Sequence, residues 1–119
     1  MLTAARSDLR AARLLAADAQ QTGDVIGFHA QQAVEKAIKA VLVASGIAIP
    51  YTHDLGFLLD ILGEHTISVP GSLADADWLT PWAVAARYGA SDAALDREAA
   101  VVVADKAVAW ADATIDFGA

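Results

Sequence analysis

The sequence predicts an all-α fold, an up-and-down antiparallel four-helix bundle with one additional short helix. Three observations carry that expectation. Apolar residues recur at steps of three and four through most of the 119 positions, and no stretch keeps the two-residue alternation of a half-buried strand. Hydrophobic residues make up 56% of the chain, yet about a quarter of all residues are alanine, so the helices are expected to pack closely through small side chains. Glycine and proline fall in a few groups, leaving short connections that favour antiparallel neighbours. A chain of this length fits one domain, residues 1–119, and can bury roughly two-thirds of its unfolded surface without disulfides or metals.

The first helix is expected from about Thr3 to Gln21, where Leu2, Ala5, Leu9, Ala12, Leu15, Ala16 and Ala19 form one stripe and Arg6, Arg10 and Arg13 share another face. Thr22-Gly23-Asp24 breaks the pattern, with Asp24 suited to cap the next helix. That helix runs from about Asp24 to Ser45. Ile26, Ala30, Ala33, Val34, Ala37 and Val41 make its core face, while the opposite side mixes Val25, Phe28 and Val43 with His29, Gln32, Glu35, Lys36 and Lys39. A solvated face rarely carries Phe and Val, so a second contact is expected there. After Pro50, a short helix from about Asp54 to Glu64 presents Leu55, Leu58, Leu59 and Leu62. The chain becomes helical again from Ser72, but Pro81 interrupts it, with Thr80 placed to cap a second piece and Trp78 and Trp82 on one side. The last helix is expected from about Asp92 to Asp116. Its main stripe is Leu95, Ala99, Val102, Ala109, Trp110 and Ala113, and a second runs through Ala94, Val101, Val108 and Ile115.

Composition excludes several functions. The absence of cysteine removes disulfides, thiolate catalysis and Cys-ligated metal, and no H-x-x-x-H spacing or acid cluster suggests another metal site, so neither metal nor cofactor is expected. No apolar run approaches the roughly 18 residues of a spanning helix, and MLTAARSDLRAARLL alternates charge with apolar residues where a signal peptide needs a hydrophobic block. No membrane association and a cytoplasmic location are therefore expected. The net charge of −7 opposes non-specific binding to a polyanion. Its distribution is uneven: residues 1–45 carry five bases and four acids, residues 46–119 three bases and eleven acids. Any anion site is expected on the first two helices.

The stretch FHAQQAVEKAIKAVLVASGIAIPYTHDLGFLL, residues 28–59, holds Gln31, Gln32, Glu35, Lys36 and Lys39 in a QQ-x-x-EK-x-x-K helix, followed by Thr52-His53-Asp54-Leu55. An S-D-L-R-A-A helix precedes it, and Ala86-Arg87-Tyr88-Gly89 follows. With these features the chain resembles the HEPN family over nearly its whole length. The resemblance implies a helical bundle that commonly forms a homodimer, found in prokaryotes beside a minimal nucleotidyltransferase as a toxin–antitoxin module. It implies two competing activities, metal-independent RNA cleavage through an R-x4-6-H motif and nucleotide binding. In this chain the His positions counted from Arg87 are occupied by Asp92, Ala93 and Ala94.

Metal-independent RNA cleavage needs a group that moves the 2′-hydroxyl proton and a cation that stabilises the phosphorane. Arg87 is the candidate cation; paired with an acid at a helix end it would be structural, and with Tyr88 it could hold a nucleotide by charge and stacking. His53 is a candidate for nucleotide or RNA contact, or for a cap or loop hydrogen bond. Gln32, Lys36 and Lys39 share one face, with Glu35 placed for an i,i+4 pair to Lys39. Phe28 and Val43 on that side make it a candidate dimer or bundle contact, the alternatives being a nucleotide or RNA surface and a solvated face. The sequence expectation is thus a module that binds a nucleotidyltransferase partner and a nucleotide, with an RNase toxin or a purely structural dimer as alternatives.

Overall fold

The computed structural model describes residues 1–84 and 95–118, the side chains of 117 and 118 excepted. All regular structure among the described residues is helical: α1 Leu2–Ala16, α2 Gly23–Ala44, α3 Leu55–Glu64, α4 Gly71–Ala74, a 3₁₀ helix Ala76–Ala83, and α5 Arg97–Gly118. The fold is the expected all-α bundle. α2 sits centrally, packed between α1 and α5, while α3 and the 3₁₀ helix cover its remaining flank. Its predicted core face is fully buried at Ile26, Ala30, Ala33, Val34, Ala37 and Val41. Burial also reaches Gln31, Glu35, Ile38 and Leu42, so the helix is covered well beyond one stripe.

α1 stops at Ala16, short of the expected Gln21. Past that point the backbone finds other partners. The Asp18 carboxylate accepts from the Gln20 amide at 2.9 Å, and the Arg97 guanidinium donates to the carbonyl oxygens of Asp18, at 3.1 Å, and Gln21. A short polar side chain that bonds its own backbone competes with the helix ladder. The N-cap of α2 is Thr22 and not Asp24, which lies inside the first turn and accepts from the Thr22 hydroxyl. There its negative charge complements the helix dipole.

α2 and α3 end alike. Gly46 and Thr66 take positive φ of 75° and 54°, and the amides of Ile47 and Ile67 reach back 2.9 Å to the carbonyls of Leu42 and Leu62. These are Schellman closures, in which the left-handed residue is usually glycine. The N-terminus of α3 is capped by Asp54 through the Phe57 amide at 3.2 Å. Thr80 does not cap a helix of its own. Its hydroxyl accepts from the Leu55 amide at 3.1 Å, satisfying another orphan donor of α3. The interruption expected at Pro81 falls instead at Asp75, Pro81 lies inside the 3₁₀ helix, and Trp78 and Trp82 meet edge to face with ring centroids 6.3 Å apart.

α5 begins at Arg97, later than Asp92, because Asp96 caps it through the Ala99 amide at 3.0 Å. Its core face is Ala100, Val103, Ala104, Ala107, Val108 and Ala111. The expected main stripe is not that face: Val102 is 48% exposed, Ala109 and Ala113 are exposed, and only Ala99, Leu95 and Trp110 are partly buried. Alanines take the core side because they let α5 approach the alanine rows of α1 and α2. Of the second stripe, Val108 is buried and Val101 and Ile115 pack against the core, while Ala94 lies outside the described residues. No helix among the described residues is long and apolar enough to cross a membrane.

Candidate functional site

Glu35 faces the flank of α2 and is 3% exposed. Four neighbours replace its hydration. Oε1 accepts from Gln31 Nε2 at 3.1 Å and pairs with His53 Nδ1 at 2.8 Å, Gln32 Nε2 stands 3.5 Å away, and Oε2 receives Lys39 Nζ at 3.0 Å. Gln31 Nε2 also donates to the His53 carbonyl at 2.9 Å, and Gln32 Nε2 to Gln31 Oε1 at 2.7 Å. Burial pushes the Glu35 carboxyl up, but the hydrogen bonds from Lys39, His53 and Gln31, with the Lys39 charge, outweigh it and hold the group below its ordinary value. The carboxylate is thus ionised at neutral pH and fastens the segment before α3 onto the middle of α2.

A second carboxylate does similar work one turn away. Asp8 of α1, with 12% of its side chain exposed, pairs with His29 Nδ1 at 2.9 Å and with Lys36 Nζ at 2.7 Å. The anticipated Glu35–Lys39 pair is therefore present, while Lys36 turns to α1. Gln32, Lys39 and His53 meet around Glu35, and Lys36 stands beside them on Asp8. Phe28 is partly buried and meets the His29 ring edge to face at 5.3 Å. Val43 is 53% exposed, apart from this network near the end of α2. Arg87 and Tyr88 lie outside the described residues.

Three contributors escaped sequence reasoning. Glu35 was legible only as the partner of Lys39, Asp8 carried no spacing signal toward a helix 28 positions away, and Gln31 showed only as half of a Gln-Gln pair. Among the described residues no group of three or more His, Asp or Glu side chains could hold a metal ion.

The residues converging here are the QQ-x-x-EK-x-x-K and T-H-D-L positions. The family model of the HEPN domain matches residues 1–113. The chain belongs to the HEPN family. No curated protein and no solved structure matched it. In this HEPN chain the signature is an internal polar network that locks α1, α2 and the α3 entry together, with His53 its most exposed member at 51% of the side chain.

Proposed function

We propose that this HEPN chain is a self-associating helical module of a two-component, toxin–antitoxin-like system, acting in the cytoplasm by binding a minimal nucleotidyltransferase partner. One observation carries this reading. Lys36 and Lys39, the cations of the signature face, are each paired with a largely buried carboxylate, and so are committed to the bundle before any phosphate arrives. Drawing either away would take the lysine charge from Asp8 or Glu35, which is costly for a largely buried carboxylate. Gln32, His53 and Tyr88 remain the contacts proposed for a nucleotide.

The second reading is metal-independent RNA cleavage with Arg87 as the cation. It is favoured by the half-exposed His53 ring, whose Nδ1 is held by Glu35 while the other nitrogen has no partner among the described residues. That is how a carboxylate orients an imidazole for proton transfer. The two readings separate in one assay. Purified protein in a chelator is expected to leave RNA intact and, when co-expressed with a minimal nucleotidyltransferase, to co-purify with it. Cleavage that persists without divalent metal and disappears in Arg87→Ala would replace the binding reading by the nuclease one.

A further inference from the structure

The exposed aromatic side chains gather where the chain enters α3 and along the 3₁₀ helix. Among the described residues Tyr51 is fully exposed, Phe57 49% and Trp78 37%, whereas Trp82 is buried and Phe28 and Trp110 are partly so. Phe57 and Trp78 flank one junction. There the Leu55 amide donates to the Thr80 hydroxyl, and a Cβ built on Gly56 would stand 3.3 Å from Asp54 Oδ1 and 3.6 Å from Asp77 Oδ2. The side chain that Gly56 lacks thus leaves a notch with a carboxylate on either side, Phe57 next along α3 and Trp78 next along the 3₁₀ helix. The Tyr51 ring extends the row, tilted against His53 with centroids 6.3 Å apart.

The charge on this side has one sign. From Gly46 to Val84 the chain carries five acids and neither lysine nor arginine. All five, Asp54, Asp60, Glu64, Asp75 and Asp77, are exposed, and none has an ion-pair partner among the described residues. The acids that are paired, Asp8, Glu35, Asp105 and Asp112, belong to α1, α2 and α5.

We propose that the aromatic face from Tyr51 through Phe57 to Trp78 docks a basic amphipathic segment of a partner protein, with an arginine or lysine of that segment seated at Gly56 between Asp54 and Asp77. The partner is defined by this chemistry, and the proposal does not depend on its being a nucleotidyltransferase.

Charge decides what covers the face. Five carboxylates with no cation among them repel phosphate, which excludes nucleic acid, and a second copy would bring an acidic chain of net −7 against them. A basic segment answers both features at once. Its cation relieves the repulsion between Asp54 and Asp77, and a guanidinium over an indole or phenol face gains a further cation–π attraction. Its apolar side covers Phe57 and Trp78. Size points the same way: α3, with ten residues, is about 15 Å long, and with its neighbour the face is about 20 Å wide, the footprint of one helix or strand and not of a whole domain. Because every carboxylate stays at the surface, the attraction is expected to be sensitive to salt.

Fluorescence anisotropy tests the assignment with a labelled amphipathic peptide that carries arginine and leucine at helical spacing, beside a second peptide with glutamate in place of arginine. Circular dichroism checks each variant's fold. The wild type is expected to bind the arginine peptide, less tightly as salt rises, and not the glutamate peptide. Trp78→Ala and Asp77→Asn are each expected to weaken binding by about fivefold. Asp116→Asn, the same change of charge at an exposed position of α5, is expected to weaken it by less than about twofold. Where Trp78→Ala disturbs Trp82, the comparison of Asp77→Asn with Asp116→Asn decides alone. A wild type that does not bind the arginine peptide overturns the docking face. So does an equal loss in Asp77→Asn and Asp116→Asn, which would reduce the attraction to bulk charge, or full affinity in a folded Trp78→Ala, which would leave the aromatic row out of the contact.

Discussion

A carboxylate withdrawn from water costs several kcal/mol unless donors replace its hydration, and Glu35 has Lys39, His53 and Gln31 to do so. Its pKa is held below the ordinary value in the folded chain, so the unfolded chain binds the proton more tightly. The stabilisation is therefore complete above the ordinary carboxylate value, about 4.3, and is lost as pH falls through the lower folded value. Glu35→Gln is expected to lower stability at pH 7 by about 2 kcal/mol, because Lys39 loses its counter-charge in a largely buried site. The difference between wild type and variant should shrink as pH falls from about 5 toward 3. Urea unfolding at several pH values reads both effects, and a difference that stays constant with pH would remove Glu35 from the network's energetics. Half of this network was legible in the sequence. Lys39 stands one helical turn from Glu35, so the pair follows from local geometry; His53 and Asp8 reach their partners only through the closure of a loop and the packing of a second helix.

Between elements, the contact of α2 with the 3₁₀ helix is set by a missing methyl group. A Cβ built on Gly27 would stand 2.1 Å from Trp82 Cδ1 and 2.4 Å from Cγ. Mid-helix Gly→Ala normally gains up to about 1 kcal/mol in helix propensity. Here the clash reverses the sign, since the indole must move from a site where it is only 9% exposed. Gly27→Ala is expected to destabilise by about 1–3 kcal/mol, as overpacked cores do, and to change near-ultraviolet circular dichroism as Trp82 shifts. A stabilised variant with an unchanged spectrum would mean that the indole yields freely. Sequence periodicity located α2 and α3 well because their core residues are branched and distinct from their polar faces. It misjudged α5, where apolar residues surround the helix and the alanines that make most of its core face carry less weight than Val102, which is exposed. Pro81 misplaced the interruption: the break falls at Asp75, between α4 and a 3₁₀ helix that runs through Pro81, and Thr80 serves α3, a contact 25 positions away that no local pattern reveals.

At the scale of the molecule, fifteen acids against eight bases repel one another, most strongly in residues 46–119. Added salt screens that repulsion and also weakens ion pairs, so the direction of its effect depends on where the pairs lie. Arg6–Asp112 and Arg13–Asp105 are about half exposed and, as surface pairs, are worth at most about 1 kcal/mol each. The Glu35–Lys39 pair is shielded by burial and loses much less to screening. Relief of repulsion should therefore win. Raising sodium chloride from about 0.02 to 0.5 M, which shortens the screening length to a few ångströms, is expected to raise the melting temperature by a few degrees. The measurement belongs at a protein concentration low enough to keep the chain monomeric, because salt would also ease the approach of two acidic copies and association itself stabilises the fold. A melting temperature that falls with salt at that dilution would show that the α1–α5 ion pairs contribute more than their exposure allows.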